Sequence, residues 1–309
     1  MKTLLVKNNH SSRNIFIRIS APLCLLLLLT SCQARSASIN NSATPSPDGM
    51  PIENTVQPEI TSPELVPASE LYSVVGITTR ESLAIYQEST SGSIKIGQIP
   101  PSGINLRPTS NILNLDGSNW IQVQFEGQIG WVDFSFLAEQ HGNIPVELVQ
   151  LGQSVLSALK SYRYNQLREI IHPELCLRFS PYSYLDTNNI TFCGSEIDLA
   201  AASEDLLIWG SYDGTGNPIN LNFMEYHEEF VYDQDYFQSS IIGFNTEVSS
   251  GNSLNNIQEI FPDGMMIEYY FPGFDPQYGG LDWRSIRLVF VQHGMDWYLT
   301  AIIHGEWTI

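Results

Sequence analysis

Apolar positions follow a different rule in each stretch of this chain. Residues 21–29 are an oily run containing Leu25 to Leu29, and small or polar residues follow it. From Gln33 to about Glu70 apolar residues have no period, and Pro45, Pro47, Pro51, Pro58, Pro63 and Pro67 are interspersed with Ser, Thr, Asn and Ala. Between Leu71 and Gln140 short apolar runs are cut by turn residues. Trp120, Gln122 and Gln124 alternate there with Ile121, Val123 and Phe125, the period of a half-buried strand. Further strands are predicted at 74–77, 83–86, 94–100 and 129–132. About seventy residues of such strands predict a small all-β barrel, which hides its own edges by closing.

From Val146 the period lengthens. Val146, Val149, Leu151, Val155, Leu156 and Leu159 recur at helical spacing, and Leu167, Ile170 and Ile171 carry it to Pro173. A second helix is predicted over 223–237, with Tyr226, Phe230 and Val231 on one face. Strands are predicted at 176–179, 265–271, 285–291 and 297–303, the last two joined as a hairpin through His293-Gly294-Met295-Asp296. Helices first and an antiparallel sheet last predict an α+β domain with a curved antiparallel sheet. The chain thus reads as multidomain: a leader at 1–31, a tether at 32–70, a β-barrel at 71–140 and an α+β domain at 145–309.

The leader carries Lys2, Lys7, Arg13 and Arg18 and no acid before its oily run. Nine apolar residues make about 14 Å of helix, far short of the ~20 residues that cross a bilayer. Basic, then apolar, then small and polar is the order of a cleavable signal peptide. The tetrapeptide Leu29-Thr30-Ser31-Cys32 that ends it resembles the lipobox of bacterial lipoproteins; the alternative is an ordinary signal peptide with Cys32 incidental. The resemblance implies lipidation of Cys32 with two thioether-borne acyl chains, often joined by an amide-linked one such as palmitate. Two or more chains hold a protein stably on a membrane, where one binds only marginally. The implied address is the extracytoplasmic face of the cell membrane, or the outer membrane where the host has two. As a flexible coil the tether would span roughly 35 Å, and its prolines stiffen it.

Charge narrows the partners. Lys and Arg number 14 against 33 Asp and Glu, a formal net charge of −19, and losing the leader removes bases only. Such a surface repels nucleic acid and anionic headgroups. Cys24 lies in the leader, so Cys176 and Cys193 remain as a pair in an exported protein, where disulfides persist. A bond between them would add roughly 3 kcal/mol in the chain-entropy model; the alternative is two unrelated buried thiols.

The stretch Asp116-Gly117-Ser118-Asn119-Trp120-Ile121-Gln122-Val123, then Gly127-Gln128-Ile129-Gly130-Trp131-Val132 and Phe136-Leu137, resembles the bacterial SH3-like domain. The resemblance covers about residues 72–138. Its opening departs: Thr79-Arg80-Glu81-Ser82-Leu83-Ala84-Ile85-Tyr86 stands where the family commonly carries an Asn-Val-Arg-type strand. Such domains often contact peptidoglycan or a protein partner of the envelope, and others are spacers. Trp120 and Trp131 read either as glycan-stacking platforms or as packing residues on their strands.

The element order over 146–309 resembles the nuclear transport factor 2-like fold, in which a curved sheet wraps a helix around a pocket. Trp209-Gly-Ser-Tyr-Asp-Gly, Phe271-Pro-Gly-Phe-Asp-Pro and Asp282-Trp-Arg-Ser are similar to segments of uncharacterised exported bacterial proteins, which carry no activity to transfer. With residues 292–296 as the hairpin loop, Val291 pairs with Trp297 and Phe290 with Tyr298, which sets Arg284 opposite His304. Asp282 and Glu306 then lie one step further on the same side. That cluster reads as a site with His304 as proton carrier, or as an ion-pair network at a rim. Arg287 falls on the apolar face and would need a buried acid.

The chain has no Gly-x-Ser-x-Gly elbow, His-Glu-x-x-His pair, phosphate loop or dinucleotide glycine run. His172-Pro-Glu174 and His304-Gly-Glu306 match half of a deaminase zinc signature with no Pro-Cys-x-x-Cys to complete it. Asp213-Gly-Thr-Gly-Asn217 reads as a turn, and Glu225, Glu228, Glu229, Asp233 and Asp235 as a solvated acidic helix end. No cofactor or metal is called for. The expectation is a membrane-anchored binding or docking protein; the alternatives are a hydrolase-like envelope enzyme with its site in the C-terminal domain, and a scaffold of an envelope assembly.

Overall fold

The structure, a computed structural model, describes residues 69–308 apart from Thr79, Asp116 and Ser250. The leader, Cys32 and nearly all of the tether lie outside the described residues. The described residues belong to one compact unit, mostly sheet with few helices, of the α+β class.

Tyr72–Val74 (β1) comes first. Leu83–Tyr86 (β2), Lys95–Ile99 (β3), Arg107–Pro108 (β4), Leu113–Leu115 (β5), Ser118–Phe125 (β6) and Gln128–Asp133 (β7) build one six-stranded sheet. Its order is β3-β2-β7-β6-β4, with β5 also on β6. The expected closed barrel is corrected here: the path is open. The cause lies in the Pro- and Gly-rich passage after β3, which yields only the short β4 and β5 along one edge of β6. Pro108 has no N–H to extend that ladder. Ile121, Val123 and Val132 face inward, in a core with Leu83, Ile85, Ile99 and Leu106.

The chain then enters a larger sheet. Leu137–Gly142 (β8) pairs antiparallel with β1, so the two ends of the 71–140 segment leave the smaller sheet together. Val146–Lys160 (α1) follows, then Leu177–Ser180 (β9), Thr191–Phe192 (β10), Glu196–Ala202 (α2), Leu207–Ser211 (β11), Pro218–Leu221 (β12) and Phe223–Phe230 (α3). Ile241–Phe244 (β13), Ile257–Ile260 (α4), Met265–Phe271 (β14), Arg284–His293 (β15) and Asp296–Glu306 (β16) complete the described elements. Strands β11 and β12 pair only with each other. The larger sheet runs β1-β8-β13-β14-β15-β16-β9-β10. It is not purely antiparallel as expected: β8 runs parallel to β13, and β9 parallel to β16.

Local chemistry sets where the helices stop. The period that predicted continuation to Pro173 breaks at Tyr162, whose φ of +56° is left-handed, and a short 3₁₀ turn at Tyr164–Gln166 takes over. Gly152 lets α1 cross close to β14, since a Cβ there would stand 2.7 Å from the Tyr269 hydroxyl. The helix α3 begins with a capping box, Asn222 and Glu225 each satisfying the other's backbone N–H. It ends at Phe230 rather than reaching 237; residues 231–235 are irregular, and a 3₁₀ turn follows at Tyr236–Gln238. Phe179, Trp209, Phe223 and Tyr226 meet beneath the large sheet, with Trp209 stacked on Tyr226 at 3.8 Å.

Cys176 and Cys193 are bonded, with Cα atoms 4.5 Å apart, and tie the start of β9 to the segment after β10. No helix among the described residues is long and apolar enough to cross a membrane.

Candidate binding groove and ionic cluster

The smaller sheet buries one face and leaves the other to solvent. On β6 and β7 the cross-strand pairs Trp120–Asp133 and Gln122–Trp131 lie on the face opposite Ile121, Val123 and Val132. Tyr86 pairs with Trp131 and joins that outer face. Trp120 is only 5 % exposed yet belongs to none of the apolar clusters. The edge of Tyr86 covers it, the ring centroids 5.7 Å apart. The two rings and Phe136 line a groove of about 550 Å³, whose rim carries Glu81, Asp133 and Lys95. One Asp133 oxygen accepts from the Ser135 N–H and hydroxyl at 2.9 and 2.7 Å, which fixes the wall. A volume of this size, with polar side chains of Glu81, Ser82, Ser91, Lys95, Ser118 and Asp133 set around aromatic walls, is in the range of a small-ligand or peptide site. Trp131 is half-buried on the same face but does not line the groove.

Nothing among family models, curated proteins or solved structures matches this chain.

The second candidate rests on the β15–β16 hairpin. Its loop is two residues, Gly294 and Met295, with Gly294 left-handed at φ +67°. His293 therefore pairs with Asp296 and Val291 with Tyr298, one residue off the expected register. A bulge at Thr300 then adds a second residue, and Thr300 turns its hydroxyl to the Val289 carbonyl at 3.0 Å. The two offsets together restore the faces beyond the bulge. Arg284 sits opposite Glu306, not His304, which pairs with Ile286. Leu299, which the expected Phe290–Tyr298 register would set opposite Val289, instead pairs with Phe290 and faces the core.

Arg284, His304 and Glu306 do share a side, and Asp233 completes the group. Arg284 Nε lies 3.1 Å from Asp233 Oδ2, and its Nη2 lies 3.2 Å from Glu306 Oε2. His304 is buried, with Nε2 3.3 Å from Asp233 Oδ2 and Nδ1 3.2 Å from the Pro181 carbonyl. Both ring nitrogens thus face acceptor oxygens of the protein. Tyr236 donates to the other Asp233 oxygen at 2.6 Å. Burial pushes the Asp233 carboxyl up. The hydrogen bond and charge of His304, with Tyr236 and Arg284, outweigh it and hold the pKa low. Arg284 is shared between two carboxylates, and both His304 ring nitrogens are engaged within the protein, leaving neither for a substrate.

Asp282 is not brought to this cluster. Its Oδ2 accepts from Phe274 and Asp275 N–H at 2.9 and 2.8 Å, closing the 273–282 loop. Burial acts to raise its pKa, but the backbone donors and the charge of Arg284 bring it below the ordinary value. Arg287 does have a buried acid partner, Glu268, directly across the ladder at 2.9 Å, and a second, exposed one, Glu247, at 2.6 Å.

Sequence reasoning missed Tyr86, Asp133 and Phe136 in the groove and Asp233 in the cluster. Asp133 was within reach, because the tight Glu126-Gly127 turn fixes it opposite Trp120. Asp233 left no signal, lying 71 residues from His304. Among the described residues no group of three or more His, Cys, Asp or Glu could hold a metal ion.

Proposed function

We propose that this chain is a membrane-anchored, extracytoplasmic lipoprotein that works as a docking protein, its SH3-like segment holding cell-wall peptidoglycan or an envelope protein. The observation that supports it is the groove on the outer face of the small sheet, where Tyr86, Trp120 and Phe136 stand beside Glu81 and Asp133. Aromatic walls offer large contact area at little cost in conformational entropy. Two acids against one base, Lys95, leave the rim net negative and favour a ligand bearing an amine, such as a wall stem peptide or a basic peptide segment. The Cys32 anchor and proline-rich tether would place that groove within reach of the wall. The Arg284–Asp233–His304 arrangement supports a binding protein over the hydrolase alternative, since the polar groups a reaction would need are already spent on one another.

The test is co-sedimentation of the full chain with purified peptidoglycan, in wild type and Tyr86→Ala, with circular dichroism confirming that the variant folds. Pelleting of wild type that is lost in the variant supports wall docking. Wild type that stays in the supernatant removes the wall as ligand. The envelope-protein reading is then tested by cross-linking from Ser118→Cys at the groove edge, where failure to capture any envelope protein sinks docking altogether.

A further inference from the structure

We infer that the C-terminal region holds a second, separate binding site, a pocket for a neutral saccharide formed by the loop between β9 and β10 and the end of β11. The pocket encloses about 420 Å³, within the ~300–1,000 Å³ of small-molecule sites. Its walls include Tyr182, Tyr184 and Trp209, and its rim includes Asp186, Asn188 and Asn189.

The loop that carries these residues has no regular structure, yet it is held fixed. The Ser180 hydroxyl donates to the Tyr182 and Tyr184 carbonyls at 2.8 and 3.0 Å. Buried Asn256 clamps Leu185 from both sides, accepting its N–H at 2.8 Å and donating to its carbonyl at 3.0 Å. Asp186 and Asn189 lock the tip: Asp186 N–H donates to Asn189 Oδ1 at 2.7 Å, and Asp186 Oδ1 accepts the Asn188 N–H at 2.7 Å. The Tyr182 hydroxyl accepts from Asp213 N–H at 3.1 Å, joining the loop to the β11–β12 turn. A site built before its ligand arrives loses little on ordering.

The polar groups left over choose the ligand. The Asn188 amide, Asn189 Nδ2, Asp186 Oδ2 and the Ser211 hydroxyl make no hydrogen bond within the described residues. Planar amides and carboxylates that both donate and accept suit vicinal hydroxyls, each of which does the same. Tyr184, 51 % exposed, presents a ring on which the C–H face of a sugar can lie. Trp209 spends its indole N–H on the Leu221 carbonyl at 3.0 Å, so it lends the pocket apolar surface only. No Lys, Arg or His lines the pocket, and its charged residues are the acids Asp186 and Asp213, which disfavours phosphate and carboxylate ligands. Among ligands without negative charge, a short neutral oligosaccharide matches both the hydroxyl-binding side chains and the exposed ring, and a cationic probe tests the pull of the two acids.

The test is isothermal titration of the full chain, in a sugar-free detergent, with chitotriose and with maltotriose, and with glucose 6-phosphate and hexalysine as charged controls. One of the two trisaccharides is expected to bind, and neither charged probe. Tyr184→Ala and Asn188→Ala, both at exposed positions, should each weaken binding by about tenfold with an unchanged melting curve. Tyr86→Ala in the groove should leave it unchanged, which keeps this site distinguishable from the docking groove. Absence of binding by both trisaccharides, binding that survives both pocket variants, or preferred binding of a charged probe would overturn the proposal.

Discussion

Glu268→Gln is the substitution from which the most can be worked. Glu268 and Arg287 are direct partners across β14 and β15, their side chains 0 % and 1 % exposed. Glu268 accepts from Arg287 Nε at 2.9 Å, the Ser249 hydroxyl at 2.6 Å, and the Val248 and Ser249 N–H groups at 2.7 and 3.3 Å. Every neighbour is a donor, so an amide at this position turns its NH₂ toward donors and leaves the guanidinium with only the exposed Glu247 as counter-charge. Breaking a buried ion pair on one side costs about 3–5 kcal/mol. For a domain of this size that is a fall in Tm of roughly 6–20 °C. Glu247 bonds the same guanidinium at 2.6 Å but its side chain is 41 % exposed. Solvent screens it, and Glu247→Gln should cost below about 1 kcal/mol. Replacing both partners, Glu268→Leu with Arg287→Met, should recover much of the single-variant loss. Thermal melts followed by circular dichroism separate these cases. Equal shifts for the two glutamate variants, or a double variant as unstable as the two singles added, would refute the reasoning.

Three further outcomes follow from the described residues. His227 is buried against Tyr164 and burial lowers its pKa from 6.5 to about 4; the unfolded chain binds the extra proton between those values, so stability is full above pH 6.5 and falls toward pH 4. His227→Gln should flatten urea-melt stability across that window, and an unchanged slope would count against it. Asp233 is held below its ordinary 3.8, so its contribution is present above that pH and lost as pH falls through the folded value; Asp233→Asn should be less stable at pH 7 and show a shallower acid limb in the same melts. Cys193→Ser should cost roughly 3 kcal/mol, and reducing agent should lower the Tm of wild type but not of the variant.

Strong periodicity was legible. The 265–271 and 83–86 strands stand where alternating or continuous apolar runs placed them, and α1 begins at Val146 as its spacing required. Non-local pairing was not. Leu137-Ala-Glu-Gln-His-Gly142 is too polar to read as a strand, yet β1 and β13 flank it on either side. Its parallel contact with β13 welds the 71–140 segment into the larger sheet, a link no local pattern encodes. A fragment ending at 141 would cut that link, which is why the tests above use the whole chain. The Arg284–His304–Glu306 grouping was legible for a partly accidental reason: the true register departs from the expected one by one residue at the Gly294-Met295 loop and by one at the Thr300 bulge, and the two offsets cancel. Where only the first applies, at Leu299, the face came out wrong. Trp120 shows a different limit. A tryptophan on a half-buried strand reads either as a glycan platform or as packing, and here it is almost fully buried while still forming the groove wall.

The address governs whether the groove ever meets an envelope ligand, so the most direct test of the account is the anchor itself. The measurement is metabolic labelling with radioactive palmitate in a bacterial host, for wild type and Cys32→Ser, followed by membrane fractionation. The account predicts label on wild type in the membrane fraction, and an unlabelled Cys32→Ser chain that no longer sediments with membranes. A wild-type chain without label, or label retained after Cys32→Ser, would contradict it.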